Sequence, residues 1–273
     1  MLTKFKSVIA KTLSKLGITV FLNSSISDFL LIRNSEINEL KHSAKSIAAF
    51  QFLSESELLG NLPVKQASEY VLASKSQLGQ DVLALSYVGT YKPGYFVEFG
   101  ATNGRDLSNT YLLEKHFGWK GILCEPAKIW HKELFSNRES IIDTRCVFNS
   151  TGEQLDFLEA TTSHLSTIED FAISDSHRRE MTEKYKVTTV TLGDLLTEHN
   201  APHYINFLSI DTEGSEYLIL RDFDFEKYQF GLICVEHNFT ENRSRIFDLL
   251  SSKGYKRVFE DFSAWDDWYV KVG

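Results

Sequence analysis

The stretch 95–104, read as YFVEFGATNG, constrains the fold more than any other part of this 273-residue chain. A short apolar run ends in Glu98, Gly100 and Gly104 bracket a loop of small residues, and Leu107 opens a helical pattern. That order predicts a strand, a tight turn and a helix N-terminus. Glycines in such a loop open positive φ to the backbone and let a ligand approach the main chain closely. A nucleotide-like ligand is the first expectation; a turn that serves only strand–helix packing is the alternative.

The spacing departs from the dinucleotide fingerprint G-x-G-x-x-G, because Thr102 stands where the second glycine would admit a pyrophosphate. It fits an acidic-x-Gly-x-x-x-Gly pattern, which suits S-adenosylmethionine, a ligand without phosphates. Downstream, apolar strand patterns alternate with helical ones. Strands are expected at 120–124, 141–147, 155–158, 187–192, 205–210 and 231–235, with two aromatic-rich strands at about 255–261 and 266–272. Such alternation implies a doubly wound, mostly parallel sheet of seven strands with helices on both faces. The final pair has too short a connection for a crossover, so one of its strands is expected to run antiparallel.

Upstream, residues 1–75 read as a helical extension and 76–273 as the ligand-binding domain. Residues 64–88 read as one helix. Leu2, Phe5, Ile9, Leu13 and Leu16 lie on helical spacing among Lys4, Lys6, Lys11 and Lys15. Such a basic amphipathic helix can touch an anionic membrane surface peripherally, or dock on its own domain or on a second subunit of a homo-oligomer. Residues 159–186 are polar and aperiodic, with His164, His177, Arg178 and Arg179, and read as a lid or binding loop.

A net charge of -8 argues against nucleic acid as a partner, since that needs a basic stripe. Cys124, Cys146 and Cys234 lie in apolar runs, as buried thiols of a reducing compartment would. The expected location is therefore cytoplasmic, with the inner membrane face as an alternative.

Ligands of open α/β sheets bind beyond the carboxyl ends of the strands. Four strands are expected to end there in polar residues: Glu98 with its loop, Glu125, Asp211 and the Glu236-His237 pair. Glu125 lies at a suitable distance past the loop to take both ribose hydroxyls, or else simply favours a helix dipole. Arg145 and Cys146, with Val147, are placed to flank an adenine ring, although a buried core explains Cys146 equally.

The blocks FVEFGATNGRDLSNTYLLEKHFGW, ILCEPA, LSIDTEGSEYLIL and VEHNF, in this order, resemble the FkbM-type family of S-adenosylmethionine-dependent methyltransferases, over about 76–270. The resemblance implies a class I methyltransferase fold and O-methylation of a sugar hydroxyl on a glycan, or of another hydroxyl-bearing acceptor. It implies that Glu98, Gly100, Ala101, Asn103 and Gly104 hold the methionine part of the cofactor, and that Glu125, with Pro126 beside it, holds the ribose. Asp211, Glu213, Glu236 and His237 would then face the methyl group and acceptor. His237 is the first candidate base and Asp211 the second. Three carboxylates near one histidine could instead hold a divalent metal. Asp211-Thr212-Glu213 also leaves open a metal-dependent glycosyltransferase using a sugar nucleotide, and a non-catalytic module of the same fold is a further alternative.

Overall fold

A computed structural model describes residues 64–88, 92–160, 165–172 and 180–272. The expected helices of 1–63 lie outside the described residues, as do His164, His177, Arg178 and Arg179.

The core is a seven-stranded mixed sheet. Its strands are β1 (Tyr95–Phe99), β2 (Lys120–Cys124), β3 (Ile141–Asp143), β8 (Tyr204–Ile210), β9 (Gln229–Glu236), β10 (Tyr255–Val258) and β11 (Asp266–Lys271), in spatial order β3-β2-β1-β8-β9-β11-β10. The β3, β2, β1, β8 and β9 strands pair parallel throughout, whereas β11 runs antiparallel to both β9 and β10. The last strand is thus the reversed one, as its short connection required.

Successive strand residues point to opposite faces, so the central strands must be apolar on both. Val97, Ile122, Leu208 and Ile233 pack on one side, and Phe96, Leu123, Phe207 and Leu232 on the other. The first side is covered by α5 (Leu192–Glu198), α6 (Glu216–Arg221) and α7 (Asn242–Ser252), through Leu195, Leu220 and Leu250. The second is covered by α1 (Val64–Ala73), α2 (Gln80–Val88), α3 (Tyr111–Phe117) and α4 (Lys128–Asn137), through Val71, Leu83, Leu112 and Leu134.

Four local expectations are corrected. The helix of 64–88 is two helices, because Ser74 and Ser76 turn their hydroxyls onto the Asp81 carboxylate and Gly79 takes φ 82° between them. The helix after the glycine loop starts at Tyr111, well past Leu107, because Glu98 draws Ser108, the Asn109 N–H and Thr110 onto its carboxylate. The strand of 141–147 breaks at Thr144, where Arg145 folds back and its N–H and guanidinium bond Asp143. The chain then leaves the sheet, and β4 (Cys146–Phe148) enters a second one.

That second sheet is the fourth correction. It joins β4, β5 (Gln154–Ala160), β6 (Thr167–Ile168) and β7 (Met181–Thr191) in order β4-β7-β5-β6. Much of 159–186 is therefore strand. Its period-2 signal is weak because polar residues also take buried positions, Glu159 on β5 and Thr189 on β7; on the outer side Lys186 and Lys184 meet Asp156 across the paired strands at 3.0 and 3.7 Å.

Gly100 shows how tightly the strand tips converge. At φ 73° it sits against β8, and a Cβ there would stand 2.1 Å from the Asp211 carbonyl oxygen. Gly152, at φ 85°, has nothing within 4 Å of the same position. Gly100→Ala should therefore cost roughly 3 kcal/mol or more, from overpacking added to left-handed strain, and Gly152→Ala only about 1. Urea denaturation of both variants checks this; equal losses would mean the tips are not in contact.

Candidate active site

Beyond the carboxyl ends of β1, β2, β8 and β9 lies a cavity of about 370 Å³. Glu98, Glu125, Asp211, Glu213 and Glu236 line it, and none of its described lining residues is lysine, arginine or histidine. A second cavity of about 40 Å³ shares Gly100, Glu125 and Asp211 with the first, and is otherwise walled mainly by Pro126, Cys146, Val147, Phe157 and Ile168.

Each carboxyl group reaches the cavity by its own route. Glu98 accepts from Asn109 N at 2.7 Å, Ser108 Oγ at 3.0 Å and Thr110 Oγ1, with Arg138 at 3.7 Å. It is fully engaged by protein and fixes the cavity wall. Glu125 clamps the loop, accepting from Thr102 N at 2.7 Å and Ala127 N at 2.8 Å. Burial nonetheless pushes it up to about 7. Asp211, Glu213 and Glu236 place carboxylate oxygens within 4.8 Å of one another. Burial first, then the Glu213 charge, raises Asp211 well above the usual carboxylate range, while a hydrogen bond from Glu236 opposes the rise. Burial and Asp211 raise Glu236 likewise. Two carboxyl groups that share a hydrogen bond keep a proton between them.

Two buried acceptors here lack a donor. Asn109 gives its Nδ2 hydrogen to Ser209 Oγ at 2.9 Å, which leaves Oδ1 without a partner, and Glu236 Oε2 also has none. Such acceptors in an acidic cavity fit a ligand that carries positive charge and N–H or O–H donors. The all-oxygen trio of Asp211, Glu213 and Glu236 also suits a hard divalent ion. Backbone strain gathers at the same place: of the eight non-glycine residues with positive φ among those described, Thr102, Leu107, Glu213, Asn238 and Phe239 line the cavity.

The structure brings Glu98, Gly100, Glu125, Asp211, Glu213 and Glu236 to the large cavity, and Pro126 and Cys146 to the small one. Burial pushes the Cys146 thiol up to about 12, so it is an apolar wall. Five expected residues line neither cavity. Ala101 is fully buried. Gly104 packs against α4, where a Cβ would stand 2.6 Å from Leu134 Cδ1. Asn103 turns its side chain into the loop, onto Arg105 N and Asp106 N. Arg145 is bound at 2.6 Å to both Asp143 and Glu198. His237 follows the cavity-facing Glu236 on β9, so its ring falls on the opposite side, with Nε2 at 3.7 Å from Asp267 and Nδ1 accepting from Phe239 N. As placed, His237 offers no base to the cavity.

Other lining residues went unread in sequence. Thr102, Asn109 and Phe239 lie inside the motif blocks but in turns and bends, where no strand or helix period marks the cavity-facing residues. Ser166 falls in the 159–186 stretch read as a lid or binding loop without being singled out, and Trp265 comes from a segment without such a signal.

Fold and cavity define an α/β protein with an acidic cavity at the carboxyl ends of a mixed sheet. The sequence model of the methyltransferase FkbM domain matches residues 98–268, and the chain belongs to that family. No curated protein matches it. Among solved structures, the crystal structure of methyltransferase FkbM from Methylobacillus flagellatus KT is similar at 13% sequence identity, with 82% of this chain and 58% of that chain covered and a TM-score of 0.44. The chain thus spans less than two thirds of that protein.

The acid cluster has a measurable cost. A carboxyl group raised in the folded state stabilises below its unfolded value of about 4, and that stability is lost as pH rises through the folded value. Asp81 and Asp266 are pushed to about 6 and Glu125 to about 7, chiefly by burial. Asp143, which Arg145 and His199 hold down at about 2, acts only in strong acid. The melting temperature of the ligand-free protein should therefore fall between pH 5 and pH 8, and Glu236→Gln should reduce the fall. Thermal denaturation across pH checks this, and a melting point that rises with pH would contradict it.

Proposed function

We propose that the chain is an S-adenosylmethionine-dependent O-methyltransferase that acts on a sugar hydroxyl of a glycan or glycoconjugate. The observation that carries this reading is the charge of the cavity: five carboxyl groups, no basic residue among the described lining residues, and two buried acceptors that need donors. S-adenosylmethionine brings a sulfonium and an ammonium against one carboxylate, so it supplies the charge that the cavity lacks. A sugar nucleotide brings a diphosphate, which these carboxylates would repel. Membership of the FkbM methyltransferase family supports the same choice.

The class I methyltransferase arrangement belongs to this reading, since the strand order puts Glu98, Glu125 and Asp211 on adjacent tips. Glu125 has lone pairs left for ribose hydroxyls beyond those used by Thr102 and Ala127. Asn109 Oδ1 would accept from the ammonium, and the slot of Pro126, Cys146, Val147, Phe157 and Ile168 would take the flat face of the adenine. When bound, the cofactor supplies a methyl carbon activated by its sulfonium.

The protein's remaining tasks are alignment and proton removal. Alignment of an acceptor oxygen in line with that carbon supplies much of the rate in displacements of this kind. The acceptor hydroxyl must shed its proton as it attacks, and Asp211 and Glu236, whose proton affinity burial raises well above that of an ordinary carboxylate, are the groups placed to take it. The base role thus passes from His237 to this pair. A second reading rests on the same oxygens: Asp211, Glu213 and Glu236 would hold a divalent ion, whose charge would acidify a bound hydroxyl.

S-adenosylmethionine should raise the melting temperature and donate a labelled methyl group to glycan acceptors; stabilisation by sugar nucleotides alone would overturn the assignment. Because Glu125 ionises only near pH 7, affinity for S-adenosylmethionine should tighten from pH 6 to pH 8, and more steeply than for S-adenosylhomocysteine, which lacks the sulfonium charge. Titration calorimetry at both values tests this, and equal slopes would count against charge recognition. Asp211→Asn should lower kcat by about 10²–10⁴-fold. Activity that EDTA abolishes and Mg²⁺ or Mn²⁺ restores would select the metal reading.

A further inference from the structure

We infer that Phe239, held in place by His237, is the platform on which a pyranose ring of the acceptor rests. Phe239 lines the large cavity, yet at 71% it is the most exposed of the large apolar side chains among the described residues. An aromatic ring left in water at a cavity mouth is a contact surface waiting for an apolar face.

Its backbone is also unusual. Asn238 and Phe239 take φ 43° and 57° in succession, in the left-handed region that costs an ordinary residue about 1–2 kcal/mol. The bend persists because neighbouring groups hold it. His237 Nδ1 accepts from Phe239 N at 3.0 Å, and the two rings meet edge to face at 5.2 Å. The N–H groups of His237 and Asn238 donate to the Trp265 carbonyl at 2.9 and 3.2 Å. Trp265, Gln77 and Asn238 line the cavity too.

Two aromatic residues and two amide-bearing residues around one cavity with a carboxylate trio match a sugar ring. One face of a pyranose is a patch of C–H groups, and its rim is a row of hydroxyls that amides and carboxylates can bind. His237 touches neither cavity nor ligand, so it is a positioning residue and acts through Phe239. The reaction at the bound hydroxyl rests on the methyl-transfer reading, whereas the ring contact can be measured without it.

The test is saturation-transfer NMR on the full chain with three probes: methyl β-D-glucopyranoside, methyl α-D-mannopyranoside and methyl α-L-rhamnopyranoside. Catechol and glucitol serve as flat and acyclic controls. At least one pyranoside should receive saturation on its ring C–H protons, more strongly than either control. Phe239→Ala and Phe239→Leu should cut that signal at least fivefold, and Phe239→Tyr should keep it. His237→Leu should weaken it severalfold, whereas His237→Asn, which retains an acceptor near the Nδ1 position, should return it to within twofold. A purely structural role for His237 would track melting temperature and show no such rescue. Contact undiminished in both Phe239 variants, saturation of none of the three pyranosides, or preference for catechol overturns the inference. Failure of the wild-type chain to bind S-adenosylhomocysteine would count against methyl transfer and leave the sugar result standing.

Discussion

The buried carboxylate of Glu98 is the interaction on which the cavity depends. It lies one residue before the end of β1 and gathers Ser108, the Asn109 N–H and Thr110, while Arg138, just past the end of α4, approaches to 3.7 Å. The same guanidinium bonds the Gly104 carbonyl at 3.0 Å and Glu114 at 2.9 Å. One network therefore ties the strand tip, the glycine loop and the next two helices together. A buried ion pair is weak evidence of stability in itself, because desolvation offsets much of its attraction. Its effect here is geometric: it delays the start of α3 until Tyr111 and leaves Asn109 beside Ser209 with a free acceptor on the cavity wall.

Around that frame, the electrostatics are deliberately unbalanced. Glu98 has a guanidinium nearby, but Asp211, Glu213 and Glu236 share a space with no basic residue among the described lining residues. Burial first, and their proximity second, raises the proton affinity of Asp211 and Glu236, and so destabilises the ligand-free fold at neutral pH. A cation in the cavity would reverse that penalty. The conflict between stability and an acidic pocket is therefore a reason to expect a positively charged ligand.

The second sheet and the 237–240 bend complete the walls. Thr167 of β6 donates to the Glu213 carbonyl at 3.1 Å, which ties the inserted hairpin to the acidic trio. His237, set apart from the cavity by strand alternation, shapes the opposite rim through the Phe239 N–H. Burial lowers its proton affinity, which agrees with an Nδ1 that accepts a hydrogen bond.

The sequence by itself determined the alternation of strands and helices, the reversed final strand, and the acids at four strand ends. These are local properties: periodicity, chain connectivity and residue type. Only the tertiary structure decided which neighbours those acids meet. Arg145 could not be assigned to Asp143 and Glu198 from spacing, because Glu198 lies 53 positions away. Nor could His237 be separated from Glu236, since the two are adjacent in the chain and differ in where their side chains turn: Glu236, the last residue of β9, lines the cavity, whereas His237, just past it, turns toward Asp267. The strands expected at 155–158 and 187–192 are parts of β5 and β7, but their extension and pairing were not legible, since buried polar residues such as Glu159 and Thr189 interrupt the alternation. Contacts distant in sequence, and the choice of one face over the other, are set by packing, and packing is where the cavity acquires its charge.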